Sequence, residues 1–343
     1  MSVSDGVTGS TSRALKMVTC GRCKTKTFIS GDLPPFATEP CKKCGHPVML
    51  PVMLHNFELR GVIASGGMGT VFTAHDVKLQ REVALKMVKR EMAADPEIMT
   101  AFYKEARAGA SLNHTNIIHI YSFDEFDGQP YLVMELADQG SLDTRIEHDG
   151  RVPEYDVLQV GIKTASALAT ALKHNLLHRD IKPGNILYNI DGEPKLIDFG
   201  LVREAESENT YEEHIYGTVY YVAPEKLERK GETFHSDMYS LGGTLYHALT
   251  GHVPFEAPEI NDVLAAHVHT PLTPPNRVDP SISEFTSEAL VRAMAKRPED
   301  RFESYDDMIM ALEAARSHLL IEQSREAPRS GSGGKGWFGR RGR

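Results

Sequence analysis

The chain has 343 residues, 41% of them hydrophobic, with 38 Lys and Arg against 47 Asp and Glu and a formal net charge of −9. No stretch approaches the roughly 18 uninterrupted apolar residues of a membrane helix, and the opening MSVSDGVTGSTSR lacks a signal-peptide core, so a cytoplasmic location without a membrane partner is expected. Residues 1–56 carry seven basic against three acidic side chains and residues 325–343 six against one, which leaves an acidic middle and argues against a broad nucleic-acid surface on the body.

Residues 1–16 are small, polar and without periodicity, and are expected to be disordered. Residues 17–55 hold all four cysteines, in CGRC (Cys20, Cys23) and CKKCGH (Cys41, Cys44), two CxxC pairs separated by 17 residues. Paired thiolates on two short loops suit a tetrahedral four-cysteine zinc site, and Gly45 suits the tight turn of a zinc knuckle. His46 is surplus to a filled site. Two disulfides are the alternative, favoured only in an oxidising compartment. A segment this short cannot bury enough apolar surface to offset chain entropy, so bound metal must supply its folding free energy. The following PVMLPVML is apolar enough to rest the zinc-ribbon-like module on the next domain.

Alternating runs FELRGVIA, GTVFTAHD and EVALKMVK read as strands, EIMTAFYKEARAGASLN as a helix, and IIHIYSF and PYLVMEL as two further strands. Residues 56–136 therefore form a small, mainly antiparallel lobe with one helix. Between the first two strands lies IASGGMGTVF, where Gly66 and Gly69 let backbone N–H groups approach phosphate oxygens. Ala64 stands where such loops place their first glycine. Beyond Gly140 the period turns helical, so 137–322 reads as a mainly α lobe. VLQVGIKTASALATALKHN puts Val157, Val160, Thr164, Leu168 and Leu172 on one face, SDMYSLGGTLYHALTG closes at Gly251, and Ser304 with Asp307 forms a capping box. Residues 323–343 read as a disordered basic Gly/Ser/Arg tail.

The chemistry-bearing motifs are VALK ending at Lys86, HRDIKPGN from His178 to Asn185, KLIDFG ending at Gly200 and APE from Ala223 to Glu225. In this order they resemble the protein kinase family, in particular the bacterial eukaryotic-like Ser/Thr kinases, over about residues 57–320. The resemblance implies an α+β, two-lobed kinase fold behind a small zinc ribbon, and transfer of the ATP γ-phosphoryl group to protein Ser or Thr hydroxyls, the chain itself included. Self-association would serve that autophosphorylation.

The same resemblance implies the site. Lys86 would hold the α and β phosphates and pair with Glu105; Asp198 and Asn185 would hold Mg2+ or Mn2+ with hard oxygen ligands. Asp180 would accept the hydroxyl proton, and Lys182 would neutralise the transferring group and mark Ser/Thr specificity. Ile63, Ala64, Gly66, Gly69, Val71, Ala84, Met134, Leu187 and the backbone of Glu135 and Ala137 would hold the nucleotide, with Ala64 weakening but not abolishing it. Glu225 would pair with Arg301, and Asp237 would anchor the catalytic loop. Arg179 implies an activation segment ordered by phosphorylation, at Thr210 with Ser207 and Tyr211 as alternatives, while Thr218 belongs to the substrate pocket. Two other classes compete: a pseudokinase scaffold, supported by Ala64 and opposed by Lys86, Asp180, Asn185 and Asp198, and a zinc-ribbon adaptor carrying the kinase as cargo, which a pull-down on residues 1–56 would reveal.

Overall fold

The computed structural model of the chain describes residues 14–67, 69–199 and 219–326. Strands β1 (Leu15–Thr19) and β2 (Lys26–Ser30) form one antiparallel hairpin, and β3 (Thr38–Pro40) and β4 (Pro47–Met49) form another. Each hairpin turns through one cysteine pair, because a CxxC loop bonds back on itself: Lys24 N–H donates to Cys20 O at 3.0 Å and Gly45 N–H to Cys41 O at 2.8 Å. Cys20, Ile29, Cys41 and Val48 make a core of their own. β1 opens at Leu15, inside the stretch expected to lack structure; residues 1–13, the rest of it, lie outside the described residues.

The six-stranded sheet has the order β5-β6-β7-β8-β10-β9, all neighbours antiparallel, with β5 (Val52–Leu54), β6 (Phe57–Ser65), β7 (Gly69–Asp76), β8 (Arg81–Val88), β9 (Ile120–Phe126) and β10 (Gln129–Met134). β5 comes from the apolar PVML run assigned above to the cysteine module, yet it pairs Val52↔Leu59, Met53↔Glu58 and Leu54↔Phe57 in the larger sheet. Phe36, from the loop between β2 and β3, packs 6.2 Å from Phe72 and 6.5 Å from Phe126. Module and sheet therefore share a core, with Met49 and Leu54 beside Leu59, Phe72 and Val83.

A short helix α1 (Arg90–Ala93) leads into α2 (Pro96–Ser111), which starts where the Asp95 side chain accepts the N–H groups of Glu97 and Ile98 and proline occupies the first turn. Phe102 and Ala106 of α2 bury against Val88 and Leu132. Burying a side chain the size of Phe102 contributes about 1.5–3 kcal/mol, so this one face holds the helix to the sheet.

The rest is helical: α3 (Leu142–Asp149), α4 (Glu154–Lys173), α5 (Pro224–Leu227), α6 (Phe234–Thr250), α7 (Ile260–His269), α8 (Pro275–Val278), α9 (Glu284–Ala293) and α10 (Tyr305–Glu326). α4 buries Val157, Val160, Thr164 and Leu168 along the expected face. Gly161 lets α6 and α10 close on it, since a Cβ there would stand 2.8 Å from Leu245 and 3.1 Å from Leu312. α10 runs to Glu326, past the expected limit of 322. The hairpin β11 (Ile186–Tyr188) and β12 (Pro194–Leu196) lies below the sheet and turns through Gly192 at φ 75°. No helix among the described residues is long and apolar enough to cross a membrane.

Candidate active site

Register places the small-lobe residues on one face. Val71 stands opposite Lys86 and Leu132 opposite Lys86 on the other side, while Ala84 stands opposite Met134. Side chains two apart on a strand share a face, so Val71, Ala84, Lys86 and Met134 line the side that α2 covers. The glycine-rich turn is closed by Gly66 N–H to Gly69 O at 3.0 Å and by Ser65 Oγ to Thr70 Oγ1 at 3.2 Å. The two glycines differ in role. A Cβ on Gly69 would stand 2.5 Å from Met87 O, so the sheet itself requires glycine there, whereas a Cβ on Gly66 or Gly67 would meet nothing within 4 Å. Ala64 pairs with Val71 at the exposed lip, next to half-buried Ile63.

Between the lobes, Glu135 N–H donates to His119 O at 2.8 Å, and the Glu135 carboxylate takes buried Lys195 Nζ at 2.5 Å. Among the described residues, neither the Glu135 carbonyl nor the Ala137 N–H has a backbone partner, which leaves one acceptor and one donor beside Met134. Leu187 of β11 bridges to Ser141 beneath them. The Lys195 to Glu135 pair has no signature in the sequence, because 60 residues separate two charges that singly read as surface.

The loop after α4 is held from below. The fully buried Asp237 carboxylate accepts the N–H groups of His178 and Arg179, both at 2.7 Å. Burial pushes Asp237 above the usual carboxylate range, while the nearby His178 ring and these two N–H donors pull it back. His178 Nε2 donates to Ile197 O at 2.8 Å and its ring meets Phe199 edge-on at 4.9 Å, which ties this loop to the segment carrying Asp198. Arg179 at φ 67° and Asp198 at φ 60° both sit in the left-handed region. Non-glycine residues there cost of order 1 kcal/mol or more each and persist only where the surroundings fix them, which the two staples do.

Asp180 Oδ2 accepts Lys182 Nζ at 2.8 Å and Asn185 Nδ2 at 3.0 Å, and Asn185 Nδ2 also reaches Asp180 O at 2.7 Å. Burial by itself would raise the Asp180 carboxyl; Lys182 and Asn185 outweigh it and hold the group below the usual value. The Asn185 amide nitrogen is thus committed to Asp180, so its oxygen is the atom left for a cation. Across the lobes Lys86 Nζ lies 3.2 Å from Asp198 Oδ1, a contact 112 residues apart in sequence. Glu105 belongs to α2, but its side chain lies outside the described residues, and the expected pair with Lys86 goes with it.

Below the loop that follows α4, Arg301 forks onto Glu225 with Nη1 to Oε1 and Nη2 to Oε2 both at 2.8 Å, and it also donates to His235 O, Ala295 O and Lys296 O. Ser236 Oγ supplies Glu225 with a further donor at 2.7 Å. Glu232, which the sequence does not single out, stands 3.8 Å from Arg179 Nε and 3.1 Å from Lys226 Nζ. Gly200, Ser207, Thr210, Tyr211 and Thr218 lie outside the described residues.

In the cysteine module the four Sγ atoms lie within 4.8 Å of one another, with Cys20 to Cys44 and Cys23 to Cys41 both at 3.7 Å. A tetrahedron with Zn–S bonds of about 2.3 Å has edges of about 3.8 Å, so the donor set fits that ion. All four cysteines are free thiols in this structure. A side-chain hydrogen bond and an N–H from Thr25 bring Cys23 down to about 6 and the N–H groups of Lys43 and Cys44 lower Cys41, while, against the pull of the His46 N–H, burial and hydrogen bonds with the other thiols push Cys44 up to about 11.

The family profile described as protein kinase domain matches residues 57–313. The Ser/Thr-protein kinase PknE of Mycobacterium bovis is 34% identical over 260 residues, covering 76% of this chain and 46% of that protein. PrkC of Bacillus subtilis is 34% identical over 253 residues, covering 74% of this chain and 39% of its own, and PknB of Mycobacterium leprae 33% over 264 residues, covering 75% and 42%. The chain thus spans less than half the length of these curated relatives. The crystal structure of the Mycobacterium tuberculosis PknI kinase domain, as its C20A mutant, superposes with a TM-score of 0.58 at 25% identity, covering 77% of this chain and 97% of that one.

Proposed function

The chain belongs to the protein kinase family, and from that premise we propose that it is an active Ser/Thr protein kinase carrying a structural zinc ribbon. The observation that carries the activity is the convergence of Lys86, Asp198, Asp180, Lys182 and Asn185, with a 3.2 Å contact across the lobes and a 2.8 Å contact within the catalytic loop. Lys86 orients the α and β phosphates of ATP. Glu135 O and Ala137 N–H take the adenine edge, and Ile63, Val71, Ala84, Met134 and Leu187 pack on the ring. Asp198 and the Asn185 oxygen are the hard donors for Mg2+ or Mn2+, which supplies charge neutralisation on the phosphates when bound. Asp180, kept ionised by its neighbours, positions the attacking hydroxyl and takes its proton, and Lys182 offsets charge on the transferring phosphoryl group. Holding donor and acceptor in line converts a bimolecular encounter into a unimolecular step, which is most of what phosphoryl transfer requires of a protein.

The ribbon rests on a separate observation, the fit of four free thiols to a tetrahedral ion. Purified protein should carry about one zinc per chain, and Cys41→Ser should lose it. The activity is tested with γ-labelled ATP, Mg2+ and a generic protein acceptor, followed by phosphoamino-acid analysis. Label on serine and threonine supports the reading. Bound ATP without transfer would favour the scaffold alternative, and label on tyrosine alone would refute the role given to Lys182.

A further inference from the structure

We infer that His46 is a positioning residue for the glycine-rich turn, and that through it the metal-held ribbon sets nucleotide affinity; the second half rests on the zinc reading above. His46 Nε2 donates to Val62 O at 2.8 Å. That carbonyl belongs to β6, two residues before Ala64 and the start of the turn. β5 covers the outer edge of β6 only from Phe57 to Leu59, so Val62 lies beyond the reach of that neighbouring strand. The imidazole N–H takes the place that a strand N–H would fill.

Four further observations make this an anchor rather than incidental contact. The β6 to β7 register shifts between Leu59 and Gly61 and again between Val62 and Ala64, so Val62 lies between two irregularities, where a strand is least held by its own ladder. Gly21, in the other cysteine turn, lies close enough that an added Cβ would stand 3.8 Å from Val62 O and 3.9 Å from His46 Nε2. Both cysteine turns therefore meet at this one carbonyl. Beyond it the turn is closed by its own two hydrogen bonds, Gly66 N–H to Gly69 O and Ser65 Oγ to Thr70 Oγ1, and Gly66 and Gly67 face open space, so nothing outside the turn packs on them. Phe36, held at φ 66°, pins the remainder of the module against Phe72 on the strand that leaves the turn. The entry strand is thus gripped by His46 and the exit strand by Phe36, and both grips belong to the ribbon.

A net hydrogen bond is worth about 0.5–1.5 kcal/mol, so its loss corresponds to a two- to tenfold change of an equilibrium constant of about that size. The test is calorimetric binding of ADP with Mg2+ to the full chain, with zinc content measured on each sample. His46→Ala should keep its zinc, bind ADP about two- to tenfold more weakly and raise the KM for ATP with little change in kcat. His46→Gln, whose amide can reach the same carbonyl, should restore binding. Wild type stripped of zinc and returned to magnesium buffer should weaken at least as much, and stripping His46→Ala should cost less than stripping wild type does, because the two perturbations share the His46 linkage while the Phe36 contact is loosened only by stripping. Hydrogen exchange at residues 61–72 of unmutated protein, with and without zinc, should show faster exchange on stripping, a readout independent of any variant's folding. Unchanged ADP affinity in zinc-replete His46→Ala, or unchanged exchange on stripping, would overturn the inference while leaving the zinc site intact. A wild type without zinc would instead refute the ribbon reading, and the His46 variants would still decide the positioning role.

Discussion

Replacing Asp180 by Asn separates chemistry from binding in this site. The substitution keeps size and shape, and the Asn185 amide retains its 2.7 Å bond to the residue 180 backbone oxygen, so the Asn185 side-chain oxygen stays oriented. What is lost is one carboxylate charge that Lys182 at 2.8 Å and Asn185 at 3.0 Å now hold in the ionised form. A positioned general base contributes about 10²–10⁴-fold, or about 3–5 kcal/mol of barrier. Because that interaction matures only in the transition state, kcat should fall by this factor while the dissociation constant for ADP with Mg2+ stays within about twofold. The low Asp180 pKa has its own consequence: the carboxylate is already ionised above its depressed value, so protonation of Asp180 cannot cause loss of activity near neutral pH. Single-turnover transfer and calorimetry on the same preparations decide the matter. A variant keeping more than about a tenth of wild-type kcat would refute the base assignment.

Arg301→Met should destabilise the large lobe by about 3–5 kcal/mol by thermal or urea unfolding, since it strands the buried Glu225 carboxylate, and adding Glu225→Leu should recover part of that loss. A double variant less stable than Arg301→Met alone would contradict this account. Gly69→Ala should cost about 1–3 kcal/mol, because its Cβ meets the Met87 carbonyl at 2.5 Å, whereas Gly66→Ala should leave the melting temperature unchanged and weaken nucleotide binding. Equal melting temperatures for the two would show that the turn does not pack as described. His267, pushed down to about 4 by burial and by Lys296, is neutral in the fold, and its unfolded value is near 6.5. The unfolded state binds the extra proton between those values, so this contribution to stability is complete above about 6.5 and declines by about 3 kcal/mol as pH falls to 4. His267→Gln should flatten that part of the stability profile, and an unchanged slope would refute the assignment.

Much of this site is legible in the sequence because its chemistry leaves few residue types to choose from. A carboxylate beside a lysine two residues on, an amide three residues further, and a second carboxylate before Phe199 each read singly as ordinary turn or surface residues; only their joint order resembles the set a protein kinase uses for phosphate, metal and hydroxyl. The helical face of Val157, Val160, Thr164 and Leu168 is legible for a different reason: a period of 3.6 survives whatever packs against it. Gly69 stands out in the sequence for its phosphate-loop pattern, yet its freedom from a Cβ serves the β8 backbone before it serves any phosphate. Sequence pattern reports that a side chain must be absent, not what would occupy its space.

What stays hidden depends on long-range pairing. The run PVMLPVML carries no alternation that would separate its first half, which closes the cysteine module as β4, from its second, which joins the larger sheet as β5. Only the partner strand distinguishes them, and β6 is recruited through register, not composition. Phe36 gives no local sign that it will take a left-handed backbone; the packing of its ring between Phe72 and Phe126 offsets a cost that propensity alone would forbid. His46 is surplus to the four-cysteine site that the sequence leads one to expect. That elimination is also why the residue matters: a histidine not needed as a ligand has both ring nitrogens available for other partners, and here one holds the strand that enters the glycine-rich turn.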